Sequence, residues 1–303
     1  MKHITTTTNY KNKKKLEELF KRADEFSKMP REDYPKPLKH QTVATVFYEP
    51  STRTRLSFET AIQNLGGNTI TVENADDSSA KKGETLEDTM RTISCYAQAI
   101  VLRHPEVGAA ERAATVSKVP VINGGDGAGE HPTQALLDTY TISRAMGKIE
   151  GLKICIVGDL RNSRAMHSLT SLLSVFKPEF HLVTPKVLSL PKEYKKILET
   201  AGCKVYEHES WNAILPEIDV LYSNRIQQER FEKKEDYLAL KDSFILTMKQ
   251  VEKMKKDSII MNPLPRINEI VEEVDADPRA WYFKEVQNGL FVRMAILEDL
   301  FTN

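Results

Sequence analysis

Between Ser51 and Arg55 the chain reads Ser-Thr-Arg-Thr-Arg, two arginines set among three hydroxyls. Phe58, Ala61, Ile62 and Leu65 follow at helical spacing and predict a helix over 52–65, with Ser51 at its N-cap. A helix N-terminus offers N–H groups and about half a positive charge. It therefore binds anions, phosphate above all. Ser51, Thr52 and Thr54 add hydroxyl donors, and Arg53 and Arg55 add charge-assisted forks. The plainer alternative is a capped helix with its arginines in surface ion pairs. No glycine-rich loop ending in Gly-Lys-Ser/Thr is present, so this is not a P-loop, and the phosphate expected is that of a small compound.

Other segments carry matching chemistry. Arg103 and His104 come directly after a predicted strand, aimed at the same sheet edge as Ser51. Gly124, Gly125, Gly127 and Gly129 predict a glycine-rich loop running into a helix, with His131 at the N-cap and Gln134 one turn in. His131 there suits donation to an anionic or carbonyl oxygen, or a plain cap. The polar stretch Ala75–Glu84, with Lys81 and Lys82, reads as a surface loop. In the second half, Arg161 and Arg164 lie at a strand-to-helix turn, and Arg225 and Gln227 follow another strand. Only Gly158 stands where a dinucleotide fingerprint needs three glycines, which argues against NAD. Pro263 and Pro265 flank Leu264 and fix a rigid turn whose carbonyls suit an amine or amide. Arginines, hydroxyls and backbone donors without an obvious nucleophile make a site that holds anions and stabilises developing negative charge.

The elements that must position these residues alternate. Strands are predicted at Thr42–Phe47, Asn68–Val72, Ala99–Leu102 and Pro120–Asn123, with helices near Thr52–Leu65, Thr85–Tyr96 and Glu106–Ser117. Strands at Lys153–Asp159, His181–Pro185, Cys203–Glu207, Asp219–Asn224 and Ser258–Pro263 follow in the second half, again with helices between. Such alternation predicts an α/β protein with two doubly wound parallel-sheet domains joined by helices. A length of 303 residues suits two domains. The join is placed at the helix opened by Pro132 and stopped by Gly147, and a second amphipathic helix runs through Asn288–Phe301.

Composition excludes several classes. Formal net charge is zero, with 43 basic and 43 acidic residues, which disfavours nucleic acid as a partner. The basic run Lys11–Lys15 opens an amphipathic helix with Leu16, Leu19, Phe20 and Phe26 and reads as a solvated face. The seven histidines show no metal-ligand spacing, and neither a metal nor a cofactor is expected. Cys95, Cys155 and Cys203 read as isolated, buried, reduced thiols of a cytoplasmic protein. The N-terminal stretch lacks the apolar core of a signal peptide, and no segment is long and apolar enough to span a membrane.

Taken in order, "FYEPSTRTRLSFETA", "KKGET", "LRHP", "HPTQALLD", "GDL…SR…HSL", "NPLPR" and "GLFVRMAIL" resemble the aspartate/ornithine carbamoyltransferases over nearly the whole chain. Within that family the residues resemble the aspartate-using branch. The stretch Asn262–Arg266 lacks the cysteine of the ornithine enzymes, and Arg225-x-Gln227 is similar to a pair that grips a carboxylate of the amino acid.

The resemblance implies transfer of a carbamoyl group from carbamoyl phosphate to L-aspartate in pyrimidine synthesis. Transfer to another amine, such as ornithine, is the alternative. Further rivals are a catalytically dead phosphate-binding subunit and a nucleotide-binding α/β protein; intact Arg53, Lys82, Arg103 and His131 argue against the first and the missing glycine signature against the second.

It also implies roles. Ser51, Thr52, Arg53 and Thr54 hold the phosphate; Arg103, His131 and Thr54 polarise the carbamoyl oxygen. Gln134, Pro263 and Leu264 orient the carbamoyl amine, and Arg164, Arg225 and Gln227 hold aspartate. Lys82 and Ser78 arrive from a neighbouring subunit of a homotrimer with shared active sites; Ser79 is the alternative to Ser78. A carbamoyl-phosphate-binding domain spans 1–132, completed by a C-terminal helix at 287–303, and an aspartate-binding domain with the linking helix spans 133–286. Ala165 stands where some members have threonine, removing one hydroxyl near Arg164. Whether separate regulatory chains bind is left open by these residues.

Overall fold

The run Thr-Val-Ala-Thr-Val-Phe forms strand β1 (Thr42–Phe47), buried along all but its first residue. Such continuous burial is what a central strand of a parallel sheet shows, because both faces are covered. The computed structural model describes residues 2–74 and 79–302 and divides into two units.

Unit 1 comprises residues 1–140 and 286–303. After helix α1 (Lys13–Lys28) and β1, its elements are α2 (Thr52–Asn64), β2 (Asn68–Val72), α3 (Leu86–Ile93), β3 (Ala99–His104), α4 (Ala109–Val116), β4 (Val121–Asp126) and the start of α5 (Pro132–Met146). The sheet is parallel in the order β2-β1-β3-β4. Edge strand β2 is largely exposed, whereas β4 is buried throughout. Phe58, Ala61, Ile62 and Leu65 lie at or near zero exposure, so α2 packs by the face its spacing predicted. Full burial of a side chain such as Phe58 contributes about 2–3 kcal/mol.

Unit 2 comprises residues 141–285. It holds β5 (Lys153–Val157), α6 (Arg164–Leu173), β6 (Glu179–Val183), α7 (Lys192–Thr200), β7 (Lys204–His208), β8 (Val220–Ser223), α8 (Lys234–Leu240), α9 (Met248–Val251), β9 (Ile259–Met261) and the first turn of α10 (Tyr282–Thr302). The parallel order is β7-β6-β5-β8-β9. Its core joins Cys155, Val157, Leu221 and Ile260 of the sheet to Trp211, Leu215, Leu246 and Tyr282.

The α/β class and the two parallel sheets match expectation. Several details differ. The units divide at Tyr140/Thr141, inside α5, rather than after residue 132, because the first turns of α5 pack in unit 1. Gly124 and Gly125 are not loop residues but lie in β4, where a Cβ at Gly124 would press on the Leu102 carbonyl at 3.3 Å. Arg103 and His104 end β3 rather than following it. Of the cysteines, Cys155 is buried, but Cys203 is only partly covered and Cys95 is exposed. Cys95 lies just past the C-terminus of α3, outside the buried stripe formed by Leu86, Met90 and Ile93. Among the described residues no helix is long and apolar enough to cross a membrane.

Candidate active site

In unit 1 the chain leaves β1 to form β2 on one side and β3 on the other, so the sheet's switch point lies between β1 and β3. Ligands of open α/β sheets bind outside the carboxyl ends of strands at such a point. Phe47 pairs in register with Arg103, and the Tyr48 N–H donates to the Arg103 carbonyl at 2.9 Å. The turn after β1 leads at once into α2, so its N-terminus and Arg103 stand at the same strand ends.

Ser51 is the N-cap of α2 by position, but its side chain makes no capping hydrogen bond. The first-turn N–H groups, which have no partner within a helix, are therefore not consumed by a cap. Thr52 and Arg53 are exposed, whereas Thr54 is buried. The Thr54 hydroxyl lies 3.4 Å from His131 Nε2, which ties α2 to the start of α5. Arg103 donates through Nη1 to the Gly124 carbonyl at 3.3 Å and lies 3.4 Å from Glu49. Gln134 follows His131 by one turn and donates from Nε2 to Asp138 at 2.8 Å. Ser51, Thr54, Arg103, His131 and Gln134 are thus all held in unit 1. Lys82 ends a short 3₁₀ turn, Ser79–Lys82, with its side chain exposed. Ser78 lies outside the described residues.

Unit 2 repeats the arrangement with different hardware. Its switch point lies between β5 and β8. Gly158 follows β5 at φ +111°, and a Cβ there would fall 1.8 Å from the Asn224 carbonyl oxygen, so only glycine fits. That close approach brings the turn bearing Arg164 against the turn bearing Arg225 and Gln227. The Asn224 amide donates to the Asp159 carbonyl at 2.6 Å. The Asp159 carboxylate accepts from the Arg161 and Asn162 N–H groups at 3.1 and 2.9 Å. Burial still pushes the Asp159 carboxyl above its ordinary range, against those hydrogen bonds.

Arg164 opens α6 behind the N-cap Ser163, and Ala165 is buried. Arg225 is a half-buried fork held by Glu229, with Nη1 at 3.0 Å from a carboxylate oxygen and Nη2 on the other. Pro263 and Leu264 follow β9. Leu264 takes φ +50°, and its N–H donates to Asn262 Oδ1 at 2.7 Å, while the Asn262 amide binds the Ser223 carbonyl and Glu269, each at 2.9 Å. The proline turn is therefore pinned by a buried asparagine.

Glu49, Asp138 and Glu229 were missed from sequence. Asp138 and Glu229 each stand four residues after their partners, but only Gln134 and Asp138 share a helix, α5, where that spacing is a legible signal. Glu49 carries none. Among the described residues no group of histidine, cysteine or carboxylate side chains is placed to hold a metal ion.

Fold and site define a class first: two-unit parallel α/β proteins that present arginines and a helix N-terminus at their sheets' switch points. Comparison with known proteins narrows it. Residues 2–144 match the family model for the carbamoyl-P binding domain of aspartate/ornithine carbamoyltransferase, and residues 150–300 match its Asp/Orn binding domain. The chain belongs to this family. The catalytic subunit of M. jannaschii aspartate transcarbamoylase is 48% identical, with a TM-score of 0.90 over 99% of this chain and 98% of that one. The Trypanosoma cruzi enzyme, solved with N-(phosphonacetyl)-L-aspartic acid, is 36% identical, with a TM-score of 0.93 over 99% and 95%. The multifunctional protein pyr1-3 of Dictyostelium discoideum is 47% identical over 99% of this chain, which spans 13% of that protein's length.

Proposed function

We propose that the chain transfers the carbamoyl group of carbamoyl phosphate to the α-amine of L-aspartate, giving N-carbamoyl-L-aspartate and phosphate, in pyrimidine synthesis. The observation that carries this reading is the meeting of the α2 N-terminus, Thr54, His131 and Arg103 at the β1/β3 strand ends.

In it, unit 1 binds carbamoyl phosphate. Ser51, Thr52, Arg53 and Thr54 take the phosphate, and Arg103, His131 and Thr54 face the carbamoyl oxygen, where negative charge grows in the transition state. Gln134, Pro263 and Leu264 orient the carbamoyl amine. Unit 2 binds aspartate through Arg164, Arg225 and Gln227, since a dicarboxylate calls for cations. The amine's electron pair forms the new C–N bond, the C–O bond to phosphate breaks with its pair remaining on phosphate, and the amine proton passes to the phosphate. Holding both reactants in contact supplies the rest of the acceleration.

Incubating purified chain with carbamoyl phosphate and either aspartate or ornithine tests this. Carbamoyl-aspartate with aspartate alone is expected; citrulline instead would reassign the amine, and no product would sink the transferase reading.

The working form is a cytoplasmic homotrimer in which Ser78 and Lys82 of one chain complete the next chain's site. What supports it is Lys82's exposure on a polar segment, where a long cation gains little from its own unit, and head-to-tail rings place one chain's loop at its neighbour's site. Arg53→Ala and Lys82→Ala chains should each be nearly inactive, yet regain activity when mixed under conditions of verified subunit exchange. Recovery arises because some interfaces then pair an intact Arg53 with an intact Lys82. A flat result would place each site within one chain.

A further inference from the structure

Asp138 is fully buried on α5, one turn beyond Gln134, and accepts a hydrogen bond from Gln134 Nε2 at 2.8 Å. A primary amide is nearly symmetric in shape but opposite in function at its two ends. A carboxylate only accepts, so whichever end of the amide faces it must be the nitrogen. That leaves the oxygen on the other arm. Arg293 of α10 lies close enough for the charge of Asp138 to act on it. Arg293 is 3% exposed; its guanidinium donates from Nη1 to the Ser57 hydroxyl at 2.9 Å and lies 5.2 Å from the centre of the Phe58 ring. Burial lowers the guanidinium to about 10, and the charge of Asp138 opposes that fall. The same buried arginine thus touches α2 just behind its phosphate-binding turn.

We propose that Asp138 is a positioning residue for substrate choice, fixing the Gln134 amide with its oxygen presented to the substrate's amine. It rests on the carbamoyl-phosphate reading above and deepens it. The amine of carbamoyl phosphate donates; the methyl of its isostere acetyl phosphate does not. A fixed acceptor favours the first, because a buried acceptor left without a donor is penalised. An asparagine at 138 presents donor or acceptor equally and releases the lock, while keeping the size of the side chain.

The test is the dissociation constants of carbamoyl phosphate and acetyl phosphate for the wild-type chain and for Asp138→Asn. The variant should bind carbamoyl phosphate roughly 10-fold more weakly and acetyl phosphate within about twofold of wild type, so that discrimination collapses. Equal losses for both ligands would mean a merely structural role and overturn the proposal, as would no loss for either. In a Gln134→Ala background, Asp138→Asn should add nothing; additive losses would also overturn it. Should Asp138→Asn fail to fold, wild type still decides. The Gln134 side-chain amide protons should exchange with solvent roughly 10-fold or more slowly than those of exposed glutamines, and unprotected exchange would refute the hydrogen bond. Wild-type chain that binds neither phosphate would instead overturn the underlying reading.

Discussion

The two units solve one problem, a cationic site at a parallel sheet's switch point, in different materials. Unit 1 sets Arg53 and Arg103 among backbone and small donors: a helix N-terminus whose N-cap side chain makes no capping bond, the Thr54 hydroxyl and His131, with Thr54 and His131 both buried. Unit 2 uses long forks, and its Arg225 is closed onto a carboxylate of its own chain, Glu229. Under the proposed function, the difference teaches what each ligand demands. Phosphate is compact and suits a preformed nest of N–H and O–H groups. An amino-acid dicarboxylate carries separated charges, and flexible guanidinium forks reach them, with Glu229 holding one fork in place meanwhile.

Replacing the phosphate grip should cost the most. Arg53→Ala should lower kcat/KM by about two orders of magnitude, roughly 3 kcal/mol, as loss of one transition-state donor does. Its melting temperature should stay near wild type, since the side chain is exposed. Wild-type kcat/KM in a folded variant would remove Arg53 from the site and leave the helix N-terminus alone to hold phosphate.

A smaller effect is expected at the fork. Arg225→Ala should raise the KM for aspartate about 10-fold, ~1.5 kcal/mol, the low end for a lost charge-assisted bond, while the Kd of carbamoyl phosphate stays put. Equal losses for both substrates would erase the contrast between units and return Arg225 to a structural ion pair with Glu229.

Much of this was legible in sequence because it is local. The bounds of β1 are those read from its β-branched run, and α2 ends one residue short of the expected Leu65. Pro132 opens α5, and Gly147 follows it at φ +73°. What stayed hidden depends on partners distant in sequence. Glu49 matters only because β3 delivers Arg103 beside it. Gly124 and Gly125 read as loop because glycine usually marks one, yet β4 uses them where the chain packs closely on its neighbour. The exposure of Cys95 turns on which face of a short helix's end meets the core, and one residue of drift decides it. The i, i+4 carboxylates were visible as letters, but nothing in the letters marks Gln134–Asp138 as a pair inside a helix and Arg225–Glu229 as a pair outside one.

Helix α10 starts in unit 2 and finishes in unit 1, where Val292, Met294, Ile296 and Leu297 are buried and Glu298 pairs with Arg22 of α1. During translation, therefore, the strut that completes the first unit emerges only after the whole of the second. Until then the face of α5 at Leu137, against which Gly289 allows α10 to press, lies open. The unit that matches the carbamoyl-P binding domain is thus the earlier to be made and the later to be finished, and synthesis order sets when it is completed.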